Sequence, residues 1–179
     1  MNVSLAKATP DNLADLAHIH LASKKVGETG IVDQEFLDSK TEQEYQLKWG
    51  EWLEAEDSQT YIAFNNENVA VVFISFVKLR TPPPGTSKIR PLYANEIYAL
   101  YVHPDFFRQG VGRLLLKKAI SLLAENNQKS LCLWALQKNK QACDFYEAMQ
   151  AQRVGKQKAQ MGRFSVTEIC FAWRDISVV

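Results

Sequence analysis

Residues 107–113 read Phe107-Arg108-Gln109-Gly110-Val111-Gly112-Arg113. Upstream, Asn95 to Val102 alternates as a strand does and is closed by His103-Pro104. Downstream, Val111, Leu114, Leu115, Ala119, Leu122 and Leu123 recur at helical spacing. The segment is therefore a tight turn from a strand into a helix. Its two glycines allow backbone to approach a ligand closely. The helix N-terminus offers free N–H groups and partial positive charge, which suit a phosphate or pyrophosphate. Arg108 and Arg113 add full charges. Taken alone, such a turn is equally a plain packing turn. The phosphate-loop spacing GxxxxGK followed by Ser or Thr is absent, and so is the dinucleotide spacing GxGxxG.

Further along the chain, residues 130–136 read as another strand, and Asn139 as the N-cap of a helix carrying Ala142, Phe145, Tyr146 and Met149. Two last strands, about 152–161 and 164–174, flank the hairpin-like turn Met161-Gly162-Arg163. Toward the N-terminus, residues 3–8 read as a first strand. Thr9-Pro10 then opens a helix striped by Leu13, Leu16, Ala17 and Leu21 and broken by Gly27 and Gly30. A more polar helical region spans about 33–55 and divides near Asp38-Ser39. Residues 60–64 and 69–79 form a hairpin around Asn65-Asn66. Residues 81–91 hold four of the six prolines and read as an exposed loop. The pattern predicts one α/β domain over residues 1–179 with a mixed sheet.

Composition agrees with that class. The 179 residues are 46% hydrophobic and 23% charged, with a net charge of +1. This excludes fibrous and disordered classes and argues against a dedicated nucleic-acid binder. No apolar run is long enough for a membrane span, and MNVSLAKATP has no secretory-signal pattern. Three cysteines without a CxxC pair point to a reducing, cytoplasmic setting and to no zinc site. Charge is unevenly spread. Residues 1–70 hold five Lys against thirteen acidic residues, and residues 103–163 hold eleven basic residues against four acidic ones. This is either one mixed solvated surface or an acidic half near a cationic substrate and a basic half near an anionic cofactor.

Several segments together resemble the GCN5-related N-acetyltransferase (GNAT) superfamily. They are Glu96-Ile97-Tyr98-Ala99-Leu100-Tyr101-Val102-His103-Pro104, the turn 108–113, Leu133-Trp134-Ala135-Leu136, Asn139 with Ala142, and Phe145-Tyr146-Glu147. The core of the resemblance covers 94–150, and the element order extends it to 3–174. It implies a single domain with a mixed, mostly antiparallel sheet whose central parallel strands, 95–102 and 130–136, splay apart between flanking helices. It implies acetyl-coenzyme A as co-substrate. The pantetheine arm would lie along Leu100, Tyr101 and Val102, and the pyrophosphate would sit on Arg108, Gln109, Gly110, Val111, Gly112 and Arg113. Asn139 would cap its helix and contact the cofactor.

The resemblance also implies roles in direct acetyl transfer to a primary amine of a small molecule or peptide. The Leu100 N–H would stabilise the oxyanion. Glu96 would be the general base, directly or through water, and Tyr146 the general acid. The alternative on the same fold is a non-catalytic acyl-coenzyme A-binding or regulatory module. Two positions depart from the family pattern. Phe107 stands where Gln or Arg is usual, and Gln150-Ala151 stands for Gly-Phe.

Acceptor-side elements would be about 24–53, 81–91 and 158–168. There Tyr45, Trp49, Trp52, Tyr98 and Trp134 line a pocket or fill the core, and Glu28, Asp33 and Glu35 hold a cation. His18 and His20, two apart on a helix, are poor joint metal ligands. Cys143 reads as a small buried thiol rather than a nucleophile. A homodimer through the terminal strands is left open, as the apolar tail 176–179 is equally a frayed end.

Overall fold

The protein is described here from a computed structural model over residues 2–80 and 92–179; the proline-rich segment 81–91 lies outside the described residues. In chain order the elements are β1 (Ser4–Lys7), α1 (Leu13–Glu28), α2 (Gln34–Asp38), α3 (Glu42–Glu54), β2 (Gln59–Phe64) and β3 (Ala70–Lys78). They continue with β4 (Asn95–Val102), α4 (Val111–Glu125), β5 (Leu131–Leu136), α5 (Lys140–Ala148), β6 (Gln152–Met161) and β7 (Phe164–Trp173). The strands form one sheet in the order β1-β2-β3-β4-β5-β7-β6. Every neighbouring pair is antiparallel except β4 and β5, which are parallel and joined through α4. No helix among the described residues is long and apolar enough to cross a membrane.

The apolar run of β3, interrupted within the strand only by Ser75, follows from burial on both faces. Val72, Ile74 and Phe76 belong to the cluster that includes Leu115, Leu116 and Ala119 of α4. Phe73 packs with Leu16, Ala17 and Ile19 of α1 and Trp49 of α3 on the opposite face. Burying each such side chain stabilises by about 1.5–3 kcal/mol. The α4 stripe is turned relative to its expected position. Leu114 is exposed, and Leu116 and Ile120 are buried instead.

Local hydrogen bonds set the helix ends. The Thr41 hydroxyl accepts from the Glu44 N–H at 3.2 Å, and Glu44 Oε2 accepts from the Thr41 N–H at 3.1 Å. This reciprocal cap starts α3 and explains the division of 33–55. Gly27 does not break α1, which runs on to Glu28. A Cβ at Gly27 would lie 3.2 Å from Asn139 Nδ2, so the glycine permits close packing against the start of α5. The chain turns at Gly30, whose φ is +76°. Ile176 is buried, and its N–H donates to the Lys129 carbonyl at 3.0 Å. The C-terminus is therefore tied to the domain at Ile176 rather than frayed there.

At the end of α5 the Ala151 N–H bonds the Tyr146 carbonyl (3.0 Å) and the Gln150 N–H bonds the Glu147 carbonyl (2.9 Å). This is a Schellman closure, with Gln150 in the left-handed region at φ +64°. It explains why glycine is usual at this position and what the departure costs. Gln150→Gly relieves about 1 kcal/mol of strain. It is expected to raise the melting temperature by about 2–4 °C for a chain of this size. A melting curve unchanged or lowered would show that the glutamine side chain compensates its own strain.

Candidate active site

β4 and β5 pair only at Asn95–Leu131, Glu96–Cys132 and Ile97–Leu133. Both strands continue, to Val102 and Leu136, without pairing to each other. The cause is visible in the register with β3. Ser75 faces Ala99 but Phe76 faces Ile97, so Tyr98 is an extra residue in β4. Such a bulge bends and twists its strand. Backbone groups alternate sides along a strand. The His103 N–H donates to the Val71 carbonyl on the β3 side at 2.8 Å. The N–H groups of Leu100 and Val102 accordingly face the other, splayed side.

The splay opens a cleft of about 1170 Å³. The turn lies at one end. Arg108 and Gly110 have φ of +62° and +83°. A Cβ at Gly110 would meet nothing, so glycine is required there by its backbone angle. Gly112 is different. A Cβ there would lie 3.4 Å from Val102 Cγ2 and 3.7 Å from the Phe145 ring. The start of α4 thus packs directly on β4. No side chain caps this helix, and its first turn holds no acidic residue. Its orphan N–H groups, with Arg108 and Arg113, form a cradle whose chemistry fits an anionic phosphate group.

Most of the expected cofactor residues line this cleft: Leu100, Tyr101, Val102, Arg108, Gly110, Val111, Gly112, Arg113, Asn139 and Tyr146. Gln109 does not. It is exposed, and its amide donates to the Asp105 carbonyl at 3.0 Å. Following the Arg108 backbone, its side chain is used within the turn. Phe107, the departure from the family pattern, also lines the cleft. Asn139 caps α5, accepting from the Ala142 N–H at 3.1 Å.

Glu96 and Tyr146 line the same cleft. Glu96 is not a surface residue, being only 5% exposed, and its Oε2 accepts from the Arg80 N–H at 3.0 Å. Burial pushes the Tyr146 phenol up, so it stays protonated. Cys143 is buried, and burial also pushes its thiol up, away from the reactive thiolate.

The other end of the cleft is built by α1, α3 and the β6–β7 hairpin. Tyr45, Trp49, Trp52, Tyr98 and Trp134 all line it. Tyr45 and Trp49 are core residues as well. Trp52 and Tyr98 have ring centroids 3.3 Å apart, and the Arg80 guanidinium lies 4.9 Å and 5.1 Å from them. Asp33 and Glu35 do not wait for a cation there. Arg163 on the hairpin bonds Asp33 Oδ2 at 3.0 Å and Glu35 Oε2 at 2.6 Å. The Arg163 hydrogen bond holds the Asp33 carboxyl below its usual range. Only Glu28 of that expected trio lines the cleft, with Glu168 joining it from β7.

His20, partly buried on α1, lines the cleft as well. It lies between the rings of Tyr45 at 4.0 Å and Tyr101 at 4.1 Å. Burial, reinforced by Lys24 and Lys48, pushes its pKa down to about 2. The neutral ring accepts the Trp49 indole N–H on Nδ1 at 3.2 Å, which leaves the ring proton on Nε2. His20 follows Leu16 by four and Ala17 by three, so the buried stripe already included it. His18 is exposed beside Glu42, and His103 accepts the Asp105 N–H within its turn.

The model of the Acetyltransferase (GNAT) family matches residues 29–150, more than half of the chain. The chain belongs to the GNAT acetyltransferase family. It is 25% identical over 177 residues to the uncharacterized N-acetyltransferase YuaI of Bacillus subtilis (strain 168), covering 99% of this chain and 96% of that protein. Among solved structures it resembles the PaiA N-acetyltransferase of Thermoplasma acidophilum in complex with coenzyme A. The TM-score is 0.71 at 18% identity, over 94% and 98% of the two chains. An N-acetyltransferase from Staphylococcus aureus Mu50 gives a TM-score of 0.72 at 14% identity, over 98% and 99%. GNAT membership sets the reaction class: this chain is an acyltransferase with acetyl-coenzyme A as co-substrate.

Proposed function

We propose that this GNAT member transfers the acetyl group directly to a primary amine in a ternary complex, with Glu96 as base, the Leu100 N–H as oxyanion donor and Tyr146 as acid. The reading is carried by one observation. The N–H groups of Leu100 and Val102 face a splayed gap that ends at the uncapped start of α4, and Glu96 and Tyr146 line that same cleft. The backbone N–H groups of residues 110–113, with Arg108 and Arg113, hold the pyrophosphate.

Glu96 takes a proton from the acceptor ammonium, directly or through water. The freed amine attacks the thioester carbonyl carbon and a C–N bond forms. The Leu100 N–H meets the negative charge that develops on the carbonyl oxygen, a contribution of about 3 kcal/mol for a fixed donor. The C–S bond then breaks, and Tyr146 gives its phenolic proton to the departing sulfur. As the tetrahedral centre collapses the nitrogen releases its second proton, which re-protonates Tyr146 through water, and the proton held by Glu96 leaves to bulk water.

Tyr146→Phe keeps the ring packing against Phe145 and Phe171 and removes only the proton donor. It is expected to lower kcat by about 10²-fold with little change in acetyl-coenzyme A affinity. Thiol release across an amine panel, with calorimetric titration on the same sample, measures both. Full turnover in the variant would remove Tyr146 from the reaction.

A further inference from the structure

Among the described residues, the acceptor end of the cleft contains one unsatisfied group. Glu28 is the last residue of α1, and its side chain is 10% exposed. Oε1 pairs with Lys24 Nζ at 2.8 Å. Oε2 is buried and has no hydrogen-bond partner among the described residues. Two costs coincide here. A buried carboxylate oxygen without a donor loses its solvation uncompensated. A carboxylate at a helix C-terminus also faces the negative end of the helix dipole. The ion pair with the equally buried Lys24 accounts for the charge and for Oε1 but leaves Oε2 unanswered.

The surroundings define what would satisfy it. Tyr45 and Trp49 line the same end, and aromatic faces attract a desolvated cation. His20 is neutral there, while Lys24, paired to Oε1, and Lys48 carry positive charge in the same lining. Glu168, also lining this end, is already hydrogen-bonded by Gln157 at 2.9 Å. The missing partner is a positively charged donor brought by the ligand.

The geometry points to an acceptor that is a diamine: one amino group is acetylated, and a second ammonium donates to Glu28 Oε2 within the aromatic wall. This rests on the acetyl-transfer reading for the reacting amine, but the subsite itself is a binding property. The test is calorimetric titration of the full chain saturated with coenzyme A, using cadaverine and n-pentylamine, which differ only in the second ammonium. Cadaverine is expected to bind at least about tenfold more tightly. Glu28→Gln is expected to bring the ratio close to one. Glu28→Asp, which keeps the charge on a shorter arm, should leave an intermediate ratio and serves if the glutamine variant does not fold.

Equal affinities in the unaltered protein, or a preference that survives loss of the Glu28 charge, would overturn the inference. So would tighter, Glu28-dependent binding of a peptide N-terminal amine, which would assign Oε2 to a backbone N–H. Thiol release is then measured on the same samples. A Glu28-dependent preference without release for any amine leaves the subsite standing and removes the acetyl-transfer reading. Release without the preference does the reverse.

Discussion

Glu96→Gln is expected to lower kcat by about 10²–10⁴-fold for every accepted amine while leaving acetyl-coenzyme A affinity unchanged. The substitution is nearly isosteric. An amide oxygen can still accept the Arg80 N–H that Glu96 Oε2 accepts at 3.0 Å, so the local fold is kept. What is lost is the proton affinity together with the negative charge. Glu96 sits on the three-pair stretch where β4 still contacts both neighbours, facing Val77 and Cys132. Its backbone position is therefore fixed, and the loss reads as chemistry rather than movement. Single-turnover thiol release at saturating substrates separates the two. A kcat within about twofold of the unaltered enzyme would exclude Glu96 as the base, because general-base contributions are far larger.

Gly162→Ala is expected to destabilise the protein by about 2–5 kcal/mol. Two effects add. Gly162 has φ +61°, where a Cβ costs about 1–2 kcal/mol. That Cβ would also lie 2.6 Å from Phe36 Cβ and 3.1 Å from Asp33 Cβ. Both are atoms next to the backbone and cannot swing aside, and overpacking of this kind costs about 1–3 kcal/mol. At about 2–4 °C per kcal/mol the melting temperature should fall by roughly 4–20 °C. The hairpin tip or α2 must shift, and Phe36 and Met161 line the cleft where we propose the amine binds. KM for the amine should therefore rise while acetyl-coenzyme A binding persists. Arg163→Ala provides the contrast. It removes the ion pairs to Asp33 and Glu35 but not the fit, and a smaller loss is expected because Arg163 is largely exposed. An equal melting-temperature drop in both variants would mean that charge, not packing, seats the hairpin.

The element order was readable because each piece carries a local cause. The β4 limits follow from alternation closed by His103-Pro104, the α5 start from the Asn139 cap, and the division of 33–55 from the Thr41–Glu44 cap. The readings that changed depend on neighbours distant in sequence. Gly27 was expected to break α1, but it meets Asn139 across the fold. Asp33 and Glu35 looked available, but their partner Arg163 lies about 130 residues away. Leu114 fits the α4 stripe by spacing alone, but the face of the sheet selects Leu116 and Ile120.

The site divides in the same way. The sequence by itself determined the turn 107–113, its helix and the bracketing strands, because glycine, proline and cap chemistry act over a few residues, whereas Glu96, Leu100 and Tyr146 became candidates only through the GNAT resemblance. Only the tertiary structure decided that Tyr98 bulges, that β4 and β5 part after Ile97 and Leu133, and that His20 is neutral between two tyrosines. It alone decided that Glu28 has one oxygen unanswered among the described residues. Register, desolvation and hydrogen-bond satisfaction are properties of pairs brought together by folding. No single stretch of chain contains both members of such a pair.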